Sequence, residues 1–215
     1  MVDSGAIDLS AADALRFGAS ELGITLSEGQ LGQFGAYADL LRKWNAKVNL
    51  VSRQDTHRIT SRHLLDSLSA LAFVRGPKVL DIGSGGGLPG LPIAIANSEL
   101  DVLLLERSER KARFLEAAVL HIGLGNVRVQ CADAAAAQVP RFDTVLARGV
   151  GAPAEVWRLA EPWLADLGRL VLMHSTRPEV AAPSEIEACV DSHAVNVPGL
   201  AQPHQILLLS RGGLA

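Results

Sequence analysis

The sequence predicts an α/β protein built on a mostly parallel, doubly wound sheet. Three observations predict it. From residue 77 onward short apolar runs alternate with stretches of helical periodicity. The first run, Lys78 to Ile82, empties into a glycine-dense loop, Gly83-Ser84-Gly85-Gly86-Gly87, followed by Leu88-Pro89-Gly90-Leu91-Pro92. Charged residues stand at the ends of several runs (Asp81, Glu106, Asp133, Arg148), where open α/β sheets gather their ligands.

In chain order, residues 1–30 read as a polar start and a short helix. Leu31, Phe34, Ala38, Leu41 and Trp44 recur at helical spacing and give the next helix an apolar face. Asn45 and Val48-Asn49-Leu50-Val51 mark a break and turn. A helix capped by Thr60 or Ser61 carries Leu64, Leu65, Leu68, Leu71 and Ala72 inward, and Gly76-Pro77 closes it. This stretch, 1–75, is expected to be an N-terminal helical extension on a core spanning 76–215. In the core, strands are expected at 78–82, 102–106, 127–131, 142–148 and 169–173. Helices are expected after the glycine loop, from Ser108 to about His121, and from Pro153 to Leu164. Asn196 to Gly199 and Ile206 to Leu209 are expected to form a closing hairpin-like pair.

The loop favours a nucleotide-type ligand. Glycines let a ligand lie against bare backbone, and amides at the following helix start attract an anionic group. From the strand end the pattern is D-x-G-x-G-x-G, and Leu88 stands where a dinucleotide site has its third glycine. A frame starting at Gly85 does match G-x-G-x-x-G through Gly90, but it begins later and encloses Pro89. Asp81 is poorly placed beside a pyrophosphate and well placed beside an ammonium. S-adenosyl-L-methionine offers that ammonium, with a carboxylate for the helix amides. Glu106, 23 residues after Gly83, suits ribose hydroxyls of either cofactor class. The rival, a nicotinamide-dependent oxidoreductase, lacks the third glycine in register and a Tyr/Lys or His/Asp catalytic arrangement.

Among 215 residues, 48% are apolar, enough for a sizeable core, and the net charge is −3. Cys131 and Cys189 are expected to be reduced, buried small hydrophobes. No basic n-region opens the chain and no apolar run approaches a membrane span, so a cytoplasmic location is expected. Charge is uneven. Residues 1–41 carry −5, residues 42–63 carry +5 through Arg42, Lys43, Lys47, Arg53, Arg58 and Arg62 against Asp55, and residues 107–113 carry +3. A basic band of this kind can seat a phosphate backbone.

Several blocks together resemble one family. They are Lys43-Trp44-Asn45 with Asn49-Leu50, Arg62-His63-Leu64-Leu65-Asp66-Ser67, Asp81 through Pro92, Arg110-Lys111-Ala112-Arg113-Phe114-Leu115, and Phe142-Asp143 with Ala147-Arg148. The chain is similar over most of residues 37–173 to the bacterial small-subunit ribosomal RNA guanine-N7 methyltransferases, the glucose-inhibited division protein B family. The resemblance implies a class I S-adenosylmethionine methyltransferase fold, Rossmann-like with seven strands. It implies cofactor contacts at Gly83, Leu88, Ala134, Ala135 and Arg148, beside Asp81, Gly85, Gly87, Glu106 and Asp133 from the loop and strand ends. Contacts to 16S rRNA or the small subunit fall on Lys43, Asn45, Arg53, Arg62 and His63, with no metal, no membrane partner and a monomeric protein. Ala135 stands where the family usually has an acid, Glu106 where aspartate is common, and His174 where lysine is frequent. Guanine N7 has a lone pair and no proton to lose, so no catalytic base is expected. Alignment of the reactants then carries the rate, a contribution of roughly 7–11 kcal/mol.

Overall fold

A computed structural model describes residues 10–52, 55, 58–174 and 188–212, with the backbone alone at residue 61. Two helices open it, α1 (Ala11–Glu21) and α2 (Glu28–Asn45). Helix α2 starts with a capping box, in which Ser27 and Gln30 satisfy each other's backbone amides. Asn45 ends it: this buried side chain accepts from the amides of Leu50 and Val51 at 2.8 and 3.0 Å and folds the following turn back on itself. A π-helical turn, Ile59–Leu65, runs into the single α-turn α3 (Asp66–Ser69) and a 3₁₀ turn, Leu71–Phe73. The helix expected here is therefore irregular. It begins at Ile59 with no side-chain cap at Arg58, so Thr60 lies inside it and does not start it.

The core has β1 (Lys78–Ile82), α4 (Gly90–Ala96), β2 (Asp101–Glu106), α5 (Glu109–Ile122), β3 (Val127–Cys131), β4 (Phe142–Arg148), α6 (Pro153–Ala160), β5 (Leu164–His174), β6 (Cys189–Val195) and β7 (His204–Ser210). These strands form one seven-stranded sheet in the order β3-β2-β1-β4-β5-β7-β6. Strands β1 to β5 are parallel, and β7 runs antiparallel to both β5 and β6. The order reverses between β1 and β4, the place where a doubly wound sheet opens a crevice at its carboxyl edge.

Three expectations are corrected. Helix α6 stops at Ala160 because Pro162 cannot continue it, and a 3₁₀ turn leads to β5, which starts at the fully buried Leu164. The partner of β7 is Cys189–Val195; Asn196 to Gly199 lies in the connection. That edge strand is half-buried to exposed, so it lacks the continuous apolar run that marks β7. Cys131 is exposed and Cys189 half-buried, so neither is a core residue, and both are unpaired.

One hydrophobic cluster fills the face of the sheet covered by α1, α2, α4 and α5, and joins Leu15, Phe34 and Leu68 to Leu104, Phe114 and Val171. The other face packs under α6 through Trp157, Val156, Leu80 and Val145. Polar side chains of α2 also bind this body. Gln30 Nε2 donates to the carbonyls of Ile95 and Ala96, and Gln33 Nε2 donates to that of Ile122, which satisfies orphan carbonyls at the ends of α4 and α5. Tyr37, fully buried, donates its hydroxyl to the Gly86 carbonyl at 2.5 Å. No helix among the described residues is long and apolar enough to cross a membrane.

Tyr37→Phe keeps the ring and removes that donor from the glycine loop. It is expected to lower stability by about 1–2 kcal/mol, seen as a lower urea midpoint at unchanged m. An unshifted midpoint would show that the tie is not stabilising.

Candidate functional site

The glycine loop is fixed from below. Asp81, the fourth residue of β1, is fully buried, and its Oδ2 accepts from the Gly90 amide at 2.9 Å. A Cβ on Gly90 would stand 2.7 Å from that oxygen and 2.4 Å from Leu104 Cδ2, so the carboxylate and the start of α4 approach this closely only with glycine there. Ser84 donates its hydroxyl to the Asp81 carbonyl at 2.9 Å. Asp81 Oδ1 is buried with no hydrogen-bond partner among the described residues. Burial pushes the Asp81 carboxyl up to about 7, against the pull of the Gly90 amide and of Arg148. One expectation is corrected here: Asp81 lies beneath the loop and already occupies the helix amide assigned to a ligand carboxylate.

Glu106 holds the loop from the side. Its Oε2 accepts from the Gly85 amide at 2.9 Å and its Oε1 from the Ser108 amide at 2.8 Å, and the residue is 6% exposed. Glu106 thus binds the amide of Ser108, the residue before α5, while the Ser108 hydroxyl, expected to cap that helix, makes no cap.

Two clefts lie side by side above the sheet edge and share Gly149. The first, about 340 Å³, is lined by Ile82, Gly83, Leu105, Glu106, Asp133 and Ala134, with Val150 opposite Gly83. A Cβ on Gly83, which has φ +66°, would come 3.2 Å from Val150 Cγ2 and narrow this cleft. Asp133 accepts from the Ala135 amide at 2.8 Å, which turns the backbone so that Ala134 faces the cleft. Gly85, Gly87 and Leu88 shape the loop: Leu88 is buried, and Gly87 packs on Leu91. Arg107 and Lys111, counted on sequence as part of a basic band, line this first cleft.

The second cleft, about 250 Å³, is lined by Asp55, Arg62, His63, Asp66, Arg148 and His204, together with Met173 and His174. The π-helical turn, an irregularity common at functional sites, carries two of these, Arg62 and His63, and leads straight into Asp66. Arg148 donates to Asp66 Oδ2 at 3.1 Å, and its other nitrogen lies 3.4 Å from His63 Nδ1. Burial, with Arg148 next, lowers the His63 imidazole to about 4, so it is neutral at physiological pH. Burial likewise lowers His174.

Of the residues expected to touch RNA, Lys43 is exposed, as are Lys47 and Arg58 of the same basic stretch of sequence. Arg62 and His63 turn inward to the second cleft, and Arg53 lies outside the described residues. Asn45, expected as an RNA contact, is buried under the turn it folds. Asp66 and His204 were not singled out from sequence as site residues. The i, i+1, i+4 spacing of Arg62, His63 and Asp66 could have flagged Asp66. His204 had no such signal, since 138 residues separate it from Asp66. Among the described residues no group of three or more His, Cys, Asp or Glu side chains is arranged to hold a metal ion.

Comparison with known proteins supplies the family context. The GidB family model, described as rRNA small subunit methyltransferase G, matches residues 30–207. A ribosomal RNA small subunit methyltransferase G of Laribacter hongkongensis is 39% identical over 201 residues, covering 91% of this chain and 97% of that protein. One from Pseudomonas syringae pv. syringae is 38% identical over 210 residues, covering 93% and 95%. In fold, the chain is similar to a predicted O-methyltransferase from Agrobacterium tumefaciens (TM-score 0.55, 21% identity, 70% and 80% covered). It is also similar to a precorrin-6y C5,15-methyltransferase from Geobacter metallireducens (TM-score 0.54, 19% identity, 76% and 91% covered).

The buried carboxyl predicts a pH signature. Its folded pKa, about 7, lies above the ordinary carboxylate value of 3.8. The folded state therefore binds the proton more tightly, and Asp81's contribution to stability is lost as pH rises from about 4 through 7. Asp81→Asn is expected to flatten this part of the wild-type dependence of Tm on pH. Parallel profiles for the two proteins across that window would contradict the assignment.

Proposed function

This chain belongs to the GidB family of rRNA small subunit methyltransferases G, and on that footing we propose that it methylates N7 of a guanine in 16S ribosomal RNA, using S-adenosyl-L-methionine. The observation that carries this reading is the pair of clefts that meet at Gly149, where β1 and β4 part. The residues of the first cleft fit the cofactor's chemistry. Glu106 is an acceptor for ribose hydroxyls, Gly83 offers bare backbone, and Ile82, Leu105 and Ala134 form an apolar wall for adenine. When bound, the cofactor supplies a methyl group on a sulfonium. Arg148, beside Gly149, stands where the two ligands would adjoin.

Within this reading the second cleft takes the guanine. Its N7 enters the reaction as an unprotonated acceptor, so the cleft has no proton to remove. Neutral His63, braced by Arg148, is then a wall of the cleft. A base reaches such a cleft from a loop or by flipping out of a stack. Lys43, Lys47 and Arg58 supply an exposed positive surface for flanking phosphates. The reading takes the protein as a monomer acting in the cytoplasm, where a ribosomal target would be met.

Purified protein is expected to transfer labelled methyl to small-subunit particles from a strain lacking this gene, and mass spectrometry is expected to find 7-methylguanosine. An unchanged 7-methylguanosine level in rRNA of that strain would refute the proposal. S-adenosylmethionine is expected to raise Tm and NAD to leave it unmoved. Lys43→Glu with Lys47→Glu is expected to raise KM for the particle roughly tenfold, steeply dependent on salt, while cofactor affinity stays unchanged. Wild-type KM in that variant would show the lysines to be an ordinary solvated face.

A further inference from the structure

The second cleft contains a directed chain of hydrogen bonds that methyl transfer by itself does not require. Asp66, at the start of α3, has a side chain only 5% exposed. Its Oδ1 lies 2.5 Å from Nδ1 of His204, the first residue of β7, and its Oδ2 accepts from Arg148 at 3.1 Å. An ionised carboxylate only accepts, so His204 carries its proton on Nδ1. Nε2 then presents a lone pair, and Arg62 Nη1, 2.7 Å away, donates to it. The polarity is consistent throughout: Arg62 donates to His204, His204 donates to Asp66, and Arg148 donates to Asp66 from the other side. The members come from the π-helical turn, α3, β4 and β7, which the sheet alone would not bring to one point.

A buried carboxylate between a guanidinium and an imidazole adds little net stability, because desolvation offsets most of the attraction. Its use is geometric: it fixes Arg148 directly and Arg62 through His204. Arg148 is locked at the shared wall of the two clefts. Arg62 is the outer member, half-buried and itself lining the cleft, with one donor of its planar fork on His204. Asp55, His63 and His174 complete the titratable lining, with His63 neutral.

Resting on the reading of this cleft as the nucleotide site, we infer that Asp66 and His204 are positioning residues that aim Arg62 at an acceptor oxygen of the target nucleotide. That oxygen belongs to the base carbonyl or to an adjoining phosphate. His204 and Asp66 touch neither ligand; they act through Arg62.

The test compares Arg62→Ala, His204→Ala and the double variant on small-subunit particles, with Tm and S-adenosylmethionine affinity measured alongside. Each single change is expected to lower kcat/KM about tenfold or more and to leave cofactor affinity within about twofold. The double variant is expected to be no worse than the more damaging single one, because both remove one contact. Losses that multiply independently, or wild-type kcat/KM in His204→Ala, would overturn the inference. Should His204→Ala fail to fold, Arg62→Ala keeps it open to refutation, since a wild-type kcat/KM there overturns it equally. For a phosphate oxygen, Arg62→Ala reduces the slope of log KM against log salt by about one; for a base oxygen the slope stays and every step of the loss is salt-independent. A wild-type protein that methylates no particle would sink the nucleotide reading, whereas wild-type transfer with unimpaired variants would sink this inference alone.

Discussion

The hydrogen bond from the Gly90 amide to the Asp81 carboxylate is the constraint on which the working edge of this molecule depends. A strand end and a helix start are held by one carboxyl group that water does not reach. Because it is fully buried, the group resists ionisation, and its one bond among the described residues is to backbone, which no side-chain rearrangement can withdraw. The loop between them, Gly83 to Pro89, is then fixed at both ends, with the Tyr37 hydroxyl on Gly86 and the Glu106 carboxylate on Gly85 between, and Gly83 becomes part of the wall of the first cleft. Glu106 completes the arrangement, with one oxygen on the loop and the other on the start of α5.

Three carboxylates thus do three different jobs within one edge of the sheet. Asp81 is fully buried and structural. Glu106 is nearly buried and joins the framework to the first cleft. Asp66 is buried in the second cleft and is the one of the three hydrogen-bonded to a guanidinium, that of Arg148, with the His204 imidazole on its other oxygen. Environment decides the division. A backbone amide asks for an acceptor and no countercharge, whereas guanidiniums ask for charge. Arg148 lies where these regimes meet, close enough to Asp81 to favour its ionised form and close enough to His63 to oppose its protonation.

Much of this was legible in the sequence because it is local. The strand at residues 127–131, the strand at 142–148, the glycine loop and Glu106 are set by period, composition and spacing within a dozen residues. What was not legible is what the fold alone brings together. His204 opens an ordinary strand, and nothing near it in sequence marks it. Asn45 reads from sequence both as the start of a turn and, from the family resemblance, as an RNA contact; the turn is there, and its oxygen is taken by two backbone amides five and six positions on. Asp81 was recognised as decisive while its partner was misjudged, since a carboxylate before a glycine loop can serve a ligand or the loop itself, and only burial separates the two. The weakly apolar β6 escaped because an edge strand needs little hydrophobic patterning.

Helix α2 has a consequence for how this protein could be recombined with others. Gln30 and Gln33 finish the ends of α4 and α5, and Tyr37 finishes the loop, so three donors on one helix are matched to acceptors on three separate parts of the sheet domain. Such a helix is not a detachable module. Grafted onto a foreign scaffold it would arrive with unmatched amide and hydroxyl groups, and its removal would leave carbonyls facing an apolar void. Chimeras between relatives should therefore be cut elsewhere, or should carry the helix and its acceptors across as a single unit.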